Sequence, residues 1–231
     1  MKQRNLSGFV LARKNLGEAD RIIRFYSHDG KLSFVAKGVR KLGSRRAGHL
    51  EPFALVKLQL HQGKTLSILT QAQLLSPSPI DTSDLSQVAT GYGLLELVDR
   101  LLEDDQSVDG LVEALEGLLS DAGAGSSTNK LLSYLCLYLL HQIGNQPDVS
   151  ADIDGSAYFD YQAGIVTTQR EPHSEPISLD VIKLWRVLPR LTTAQLTRLR
   201  AEAKVYDQSW QLLAKYLEYH FHIRLRSTQL L

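Results

Sequence analysis

The sequence predicts an α+β chain in which a small closed barrel of five β-strands precedes an α-helical bundle. Three observations carry this. From Leu6 to Leu74 apolar and polar residues alternate with period two between turn residues, the pattern of half-buried strands. Ser76-Pro77-Ser78-Pro79 then ends the sheet, because proline disfavours helix in the residue before it and donates nothing to a ladder. Beyond that point apolar positions recur at helical spacing. The domain boundary is therefore placed between 79 and 80, giving residues 1–79 and 80–231.

In order, Leu6–Arg13 reads as the first strand, and Arg21–Ser27 and Lys31–Lys37 as a hairpin turning at His28-Asp29-Gly30. Val56, Leu58 and Leu60 then alternate with Lys57, Gln59 and His61, and after Gln62-Gly63-Lys64 the inward set is Leu66, Ile68, Ala72 and Leu74. Five short antiparallel strands suit a closed barrel, because closure removes exposed edges. Asp81 to Asp84 offer caps for a helix through Leu85, Val88, Tyr92, Leu95, Val98 and Leu102. A second helix spans about 108–119 and a Gly/Ser linker 122–127. The third, about 128–143, is apolar nearly all round and should be the bundle's centre. Residues 144–176 are an irregular insertion with room for a brief hairpin at 158–160 and 164–166. Helical periodicity returns at 179–188 and 193–204, and is clearest where Tyr206, Trp210, Leu213, Leu217 and Phe221 share a face.

Composition narrows the function. The 231 residues are 43% hydrophobic and 22% charged, the make-up of an ordinary globular chain. A single cysteine, Cys136, excludes a disulfide framework and a four-cysteine zinc site, and suits a reducing cytoplasm. The N-terminus lacks the features of a secretory signal, and the longest apolar run, Leu131–Ile143, is too short to span a bilayer. The formal charge of +1 hides a polarised chain. Residues 1–79 carry 14 Lys and Arg against 4 Asp and Glu, residues 80–160 carry 2 against 15, and residues 161–231 carry 10 against 6. Either the two halves present surfaces with different electrostatic tasks, or their opposite charges serve docking.

The positive charge is densest at Lys37, Arg40, Lys41, Arg45 and Arg46, interrupted by Gly38, Gly43 and Gly48, with no acid before Glu51. A glycine-punctuated cationic loop suits a polyanion, above all a nucleic-acid backbone. Arg13, Lys14, Arg21 and Arg24 would extend the track if they share its face. Phe25, Tyr26 and Phe34 are either stacking surfaces or buried strand aromatics. No enzymatic constellation emerges: a phosphate-binding loop, nucleophile elbow and H-E-x-x-H motif are all missing. His220 and His222 are wrongly spaced to face one another on a helix, and no cofactor or metal is expected. Glu103-Asp104-Asp105 reads as a solvated acidic turn, and Cys136 as a core residue.

Four ordered blocks carry a family resemblance: Gly17-Glu18-Ala19-Asp20-Arg21-Ile22-Ile23, His28-Asp29-Gly30-Lys31-Leu32, Ala36-Lys37-Gly38-Val39-Arg40 and Leu50-Glu51-Pro52-Phe53. They resemble the N-terminal signature of the bacterial recombination-mediator family RecO, specifically over about residues 6–75 and in plan thereafter. The resemblance implies an OB-fold barrel with a helical domain and a short basic end like Leu225-Arg226-Ser227. It implies a non-catalytic protein of the bacterial cytoplasm, associated with the nucleoid. Such a protein binds single- and double-stranded DNA, anneals strands, contacts the acidic C-terminal tail of single-stranded DNA-binding protein, and works with RecR to load RecA. Many members carry a four-cysteine zinc module in the region of 159–176, which here has no cysteine, so that site should be absent. For the partner's tail, an acidic segment ending in an apolar residue, Lys130, Leu131, Tyr134 and Leu135 are the expected wall, with Arg224 and Arg226 as further cations. Lys130 is otherwise a solvated residue near a helix start. The competing reading is a general OB-type module, acting on RNA or DNA, whose helical half docks onto another protein.

Overall fold

A computed structural model describes residues 3–42, 44, 47–63, 65–153 and 155–227, in two compact units, Met1–Gly123 and Ala124–Leu231.

The first unit contains β1 (Gln3–Leu16), β2 (Asp20–Ser27), β3 (Gly30–Ala36), β4 (Leu55–His61) and β5 (Ser67–Ser76). They close in the order β1-β2-β3-β5-β4, with β4 returning to β1, the topology of an OB-fold. Four pairings are antiparallel. The fifth is parallel, joining β3 to β5 through Phe34 opposite Ser67 and Val35 opposite Ile68. The interior is filled by Leu6, Val10, Ile23, Phe25, Phe34 and the alternating Val56, Leu58 and Leu60.

On β5 the inward set differs from the expected one. Gln59 faces Gln71 while Leu60 faces Leu69, and Leu55 faces Ser76 while Val56 faces Leu74, so Thr70 and Leu75 are extra residues, each a β-bulge. Each bulge interrupts the period of two. Leu69 consequently turns into the core, and Leu74 is left 39% exposed. The Thr70 hydroxyl bonds the Gln59 carbonyl at 2.9 Å, holding the first bulge in place.

Two helices belong to this unit, α1 (Leu85–Leu101) and α2 (Leu111–Gly123). Asp84 caps α1 by accepting from the Ser86 and Gln87 amides at 2.9 and 3.2 Å, satisfying two donors that a helix start leaves unpaired. Gly91 lets α1 meet the barrel side: a Cβ there would lie 2.9 Å from the Phe53 ring, which packs edge-on against Tyr92 at 4.8 Å. The helix at 108–119 begins later than expected because the Val108 amide and carbonyl are both engaged by the Tyr26 hydroxyl, at 2.8 and 3.3 Å.

The acidic turn after α1 docks through its backbone, while Glu103, Asp104 and Asp105 themselves stay exposed to solvent, as expected. Lys31 on β3 is buried, and its ammonium donates to the carbonyls of Asp99, at 2.8 Å, and Leu102. A cation there also complements the negative end of the α1 dipole. The Asp105 amide donates to the Lys31 carbonyl at 2.7 Å, and the Lys31 amide to the Gln106 carbonyl at 3.3 Å.

The second unit is built on α3 (Thr128–Gln142), α4 (Leu179–Val187), α5 (Thr193–Arg198) and α6 (Ala203–Phe221), with a small sheet of β6 (Tyr158–Asp160), β7 (Ile165–Thr167) and β8 (Ser174–Pro176) in the order β7-β6-β8. Between α3, α4 and α6 runs a buried polar chain: Trp185 Nε1 donates to Ser209 Oγ at 2.8 Å, and Ser209 Oγ to Ser133 Oγ at 3.0 Å. Cys136 is wholly buried in α3, and burial pushes its thiol well above the usual range, where a thiolate is disfavoured. The insertion at 144–176 is ordered by packing and backbone bonds. Phe159 is buried edge-on against Trp185 at 4.9 Å, and the Asp148 backbone bridges the Gly164 carbonyl and the Val166 amide at 2.7 and 3.0 Å.

The helix expected at 193–204 is shorter, and Ala203 and Lys204 belong to the final helix α6. α5 carries a full capping box between Thr192 and Gln195 and stops at Arg198, because Leu199 turns extended and gives its carbonyl to Lys130 Nζ at 3.0 Å. Among the described residues no helix is long and apolar enough to cross a membrane.

Candidate nucleic-acid interface

At one end of the barrel, β1 passes into β2 through 17–19 and β3 leads out into the basic loop. Leu16 pairs with Asp20, and Arg21 with Ala36, so the two connections emerge side by side. They are also fastened. The Gly38 amide donates to Asp20 Oδ1 at 2.7 Å, the Arg40 amide to the Ala19 carbonyl at 2.9 Å, and the Arg40 guanidinium to the Gly17 carbonyl at 2.9 Å. Gly38 stands at φ 65°, a left-handed conformation in which glycine bears no Cβ strain. Val39 beside it is buried and anchors the loop in the core. Phe53, also buried, fixes the far end.

Around this end lie Lys14, Lys37, Arg40 and Lys41, all exposed, and Arg21, half-buried, whose Nε donates to Asn15 Oδ1 at 3.4 Å. Leu42 at the loop tip is fully exposed. Arg45 and Arg46 lie outside the described residues.

Arg13 and Arg24 stand apart from this group. Arg13 is taken up by Glu51 at 2.7 Å. Arg24 is three residues from Arg21 on an unbulged strand and so faces the opposite side of the sheet. There it meets Asp99 of α1 at 2.6 Å. The aromatics resolve as core: Phe25, Tyr26 and Phe34 are buried, Phe25 and Phe34 edge-on at 6.1 Å. The outer surface of β2 and β3, where Arg24, Tyr26 and Lys31 point, is occupied by α1 and the connection to α2. Among the described residues, the exposed Lys14, Lys37, Arg40 and Lys41 thus cluster at the loop end, while the exposed Arg4 and Lys57 stand elsewhere on β1 and β4.

In the second unit, Leu131 and Leu135 are wholly buried and Tyr134 nearly so, its hydroxyl bonded to the Leu191 carbonyl at 2.8 Å. Burial, with Tyr138 adding to it, pushes the Tyr134 hydroxyl up to about 12. Lys130 is neither a pocket rim nor a solvated residue: it is 8% exposed, bonded to the Leu199 carbonyl and 5.9 Å over the Tyr206 ring. These four residues form interior packing and not the wall of an opening. Arg224 and Arg226 are exposed, and Arg224 pairs with Glu218.

An open recess of about 380 Å³ lies elsewhere in this unit, with Leu137, Pro147, Val149, Trp185 and Pro189 as its apolar lining and Asp148, Arg186 and Arg190 as its charged residues. Arg186 is braced by bonds to the Val149 and Ala151 carbonyls, both at 2.8 Å. The pair sits four residues apart in sequence, one helical turn. In the sequence that spacing is a weak signal, because Pro189 stands between the two arginines and breaks the helical pattern. Among the described residues no three His, Cys, Asp or Glu side chains gather as a metal site requires.

Comparison with known proteins accords with the barrel and the helical unit. The family model described as Recombination protein O N terminal matches residues 1–78, and Recombination protein O C terminal matches 82–229. A DNA repair protein RecO of Bifidobacterium adolescentis is 31% identical over 242 residues, covering 97% of each chain. One from Desulforamulus reducens is 27% identical over 241 residues, covering 99% of this chain and 94% of the relative. One from Roseiflexus sp. is 35% identical over 140 residues, where the alignment spans 61% of this chain and half of the relative's length.

Proposed function

The chain belongs to the RecO family of DNA repair and recombination proteins, and on that premise we propose that it is a non-catalytic recombination mediator whose barrel end grips single-stranded DNA by its phosphates. The reading rests above all on the fastening of 17–19 to 37–41, which presents Lys14, Arg21, Lys37, Arg40 and Lys41 on a braced support; Arg45 and Arg46 complete the proposed set. Annealing requires two like-charged strands to approach. A surface that neutralises phosphates lowers their repulsion and leaves the bases free to pair, and no bond is made or broken. In this role the protein acts on single- and double-stranded DNA in the cytoplasm, contacts the tail of single-stranded DNA-binding protein, and serves RecR in loading RecA. The recess bordered by Arg186 and Arg190 offers that tail apolar contacts from Pro147, Val149 and Pro189 for its last residue and guanidinium groups for its acids, against the single lining carboxylate of Asp148.

Two titrations test the two contacts. Each phosphate contact to a single strand contributes a slope of about 0.7 in log K against log salt. The Lys37→Glu/Arg40→Glu/Lys41→Glu variant should therefore bind a fluorescent oligonucleotide more weakly, with a slope flattened by about two. Unchanged affinity at low and moderate salt would remove the loop from the interface. For the tail, Arg190→Glu should weaken binding of an acidic peptide with an apolar C-terminus by tenfold or so, a loss of about 1.4 kcal/mol. Wild-type affinity in that variant would remove the recess.

A further inference from the structure

The two units divide the chemistry of strand binding unequally. In the barrel unit cations reach the surface while Phe25, Tyr26 and Phe34 are buried, so its loop end can hold phosphates but has none of these rings on which to stack a base. In the second unit the rings come out. Tyr161 at the end of β6, His173 just before β8 and Tyr219 on α6 form a triangle with centroid separations of 5.9, 6.1 and 6.4 Å. Tyr219 is 42% exposed, His173 is exposed and Tyr161 half-buried. The Tyr161–His173 and Tyr161–Tyr219 contacts are edge-on, at 74° and 66°, so Tyr161 stacks flat on neither neighbour.

The triangle is built on fixed backbone. The Tyr161 amide donates to the His173 carbonyl at 3.1 Å, tying β6 to the approach of β8. His220 Nε2 bonds the Tyr161 carbonyl at 3.0 Å, tying the sheet to α6, and the His220 ring lies 5.1 Å from Tyr219. Just past α6, after His222 has turned left-handed at φ 54°, come the exposed Arg224 and Arg226. Aromatic faces on a rigid base with guanidinium groups close by in the chain are the two components by which proteins hold unpaired bases.

We propose that this cluster is a second single-stranded nucleic-acid site, in which bases stack on Tyr219, Tyr161 and His173 and phosphates run towards Arg224 and Arg226. It rests on the reading of the chain as a strand-binding mediator and supplies what the barrel end lacks. Stacking occupies the face of a base and leaves its pairing edge open, so a strand held here is still able to meet a complement. Duplex DNA, whose base faces are already stacked, should not use the site.

The test compares an oligothymidine with an abasic strand of equal length, at salt high enough to subdue phosphate contacts. The wild type should prefer oligothymidine by about tenfold or more, since stacking on one aromatic is worth roughly that factor. Tyr161→Ala/Tyr219→Ala should erase the preference without changing the salt slope, Tyr161→Phe/Tyr219→Phe should keep it, and 5-iodouracil in the strand should photocross-link to the cluster. Equal binding of the two strands by the wild type overturns the site. So does an unchanged preference in the Ala variant, which would leave the patch as a protein-docking surface. Tyr219→Ala alone, at an exposed position, carries the test if the double variant loses its cooperative thermal transition. The charge-reversed barrel variant measured alongside separates the two readings: an unaltered salt slope there refutes the barrel interface and leaves the base preference to be judged by itself.

Discussion

At the scale of single residues, the most informative side chain is Asp99, buried between α1 and the barrel. Its Oδ2 pairs with Arg24, while Oδ1 has no hydrogen-bond partner among the described residues. Burial pushes its carboxyl above the ordinary aspartate value, with Arg24 and Lys31 pulling the other way. A carboxyl raised in the folded state binds its proton more readily folded than unfolded. The wild type should therefore gain stability as pH falls from above the folded value to the unfolded value of about 3.9, and no more below it. Asp99→Asn lacks this component, so the difference in denaturant midpoint between the two proteins should shift in favour of the wild type as pH falls from 7 towards 4. Carboxyls such as Asp81 and Asp148, held low by bonds from Ser83 and Ser150, are common to both proteins and cancel. A difference independent of pH would show that Asp99 titrates normally. None of this is legible in sequence: Arg24 reads as another cation for DNA, and only the fold shows it beside a buried acid. Lys130 carries the same lesson, since its partner is a backbone carbonyl 69 residues away.

At the scale of elements, the period-two and period-3.6 patterns locate strands and helices well, because burial of one face leaves its mark on every second or fourth residue. They fail where one residue is added or one carbonyl is diverted. Thr70 and Leu75 bulge β5 without any glycine or proline to announce it, and the break between α5 and α6 comes from a lysine on another helix. β8 is missed because Ser174-Glu175-Pro176 has no apolar alternation; it pairs through backbone alone, with Tyr158 to Asp160. Close approach between strands is equally silent. A Cβ on Gly8 would lie 1.8 Å from the Tyr26 carbonyl oxygen, whereas one on Gly48 would meet nothing within 4 Å. Gly8→Ala should cost about 3 kcal/mol or prevent folding, while Gly48→Ala should stay within about 0.5 kcal/mol of the wild type in the same thermal melt. Equal melting of the two variants would contradict the register of β1 with β2.

At the scale of the whole molecule, the charge polarity written along the chain has two outcomes. Part of the acidic stretch serves docking inside the first unit, where Asp99 and Asp104 meet Arg24 and Lys31. Among the described residues, Lys14, Arg21, Lys37, Arg40 and Lys41 gather at the loop end, where Gly17-Glu18-Ala19-Asp20 and Ala36-Lys37-Gly38-Val39-Arg40, two separate blocks of the family resemblance, bind one another. Their co-occurrence in sequence thus has a physical counterpart in the hydrogen bonds that join them.

The burial of Lys31 and Tyr26 beneath α1 and the start of α2 also sets an order in time. A ribosome releases β1 to β5 first, yet Lys31 must wait for the carbonyls of Asp99 and Leu102, and Tyr26 for the backbone of Val108. Until those residues emerge, the nascent barrel carries a desolvation-prone ammonium and an uncovered aromatic on its flank. Its strands, though contiguous in sequence, can complete their native surroundings only after the acidic turn has been synthesised.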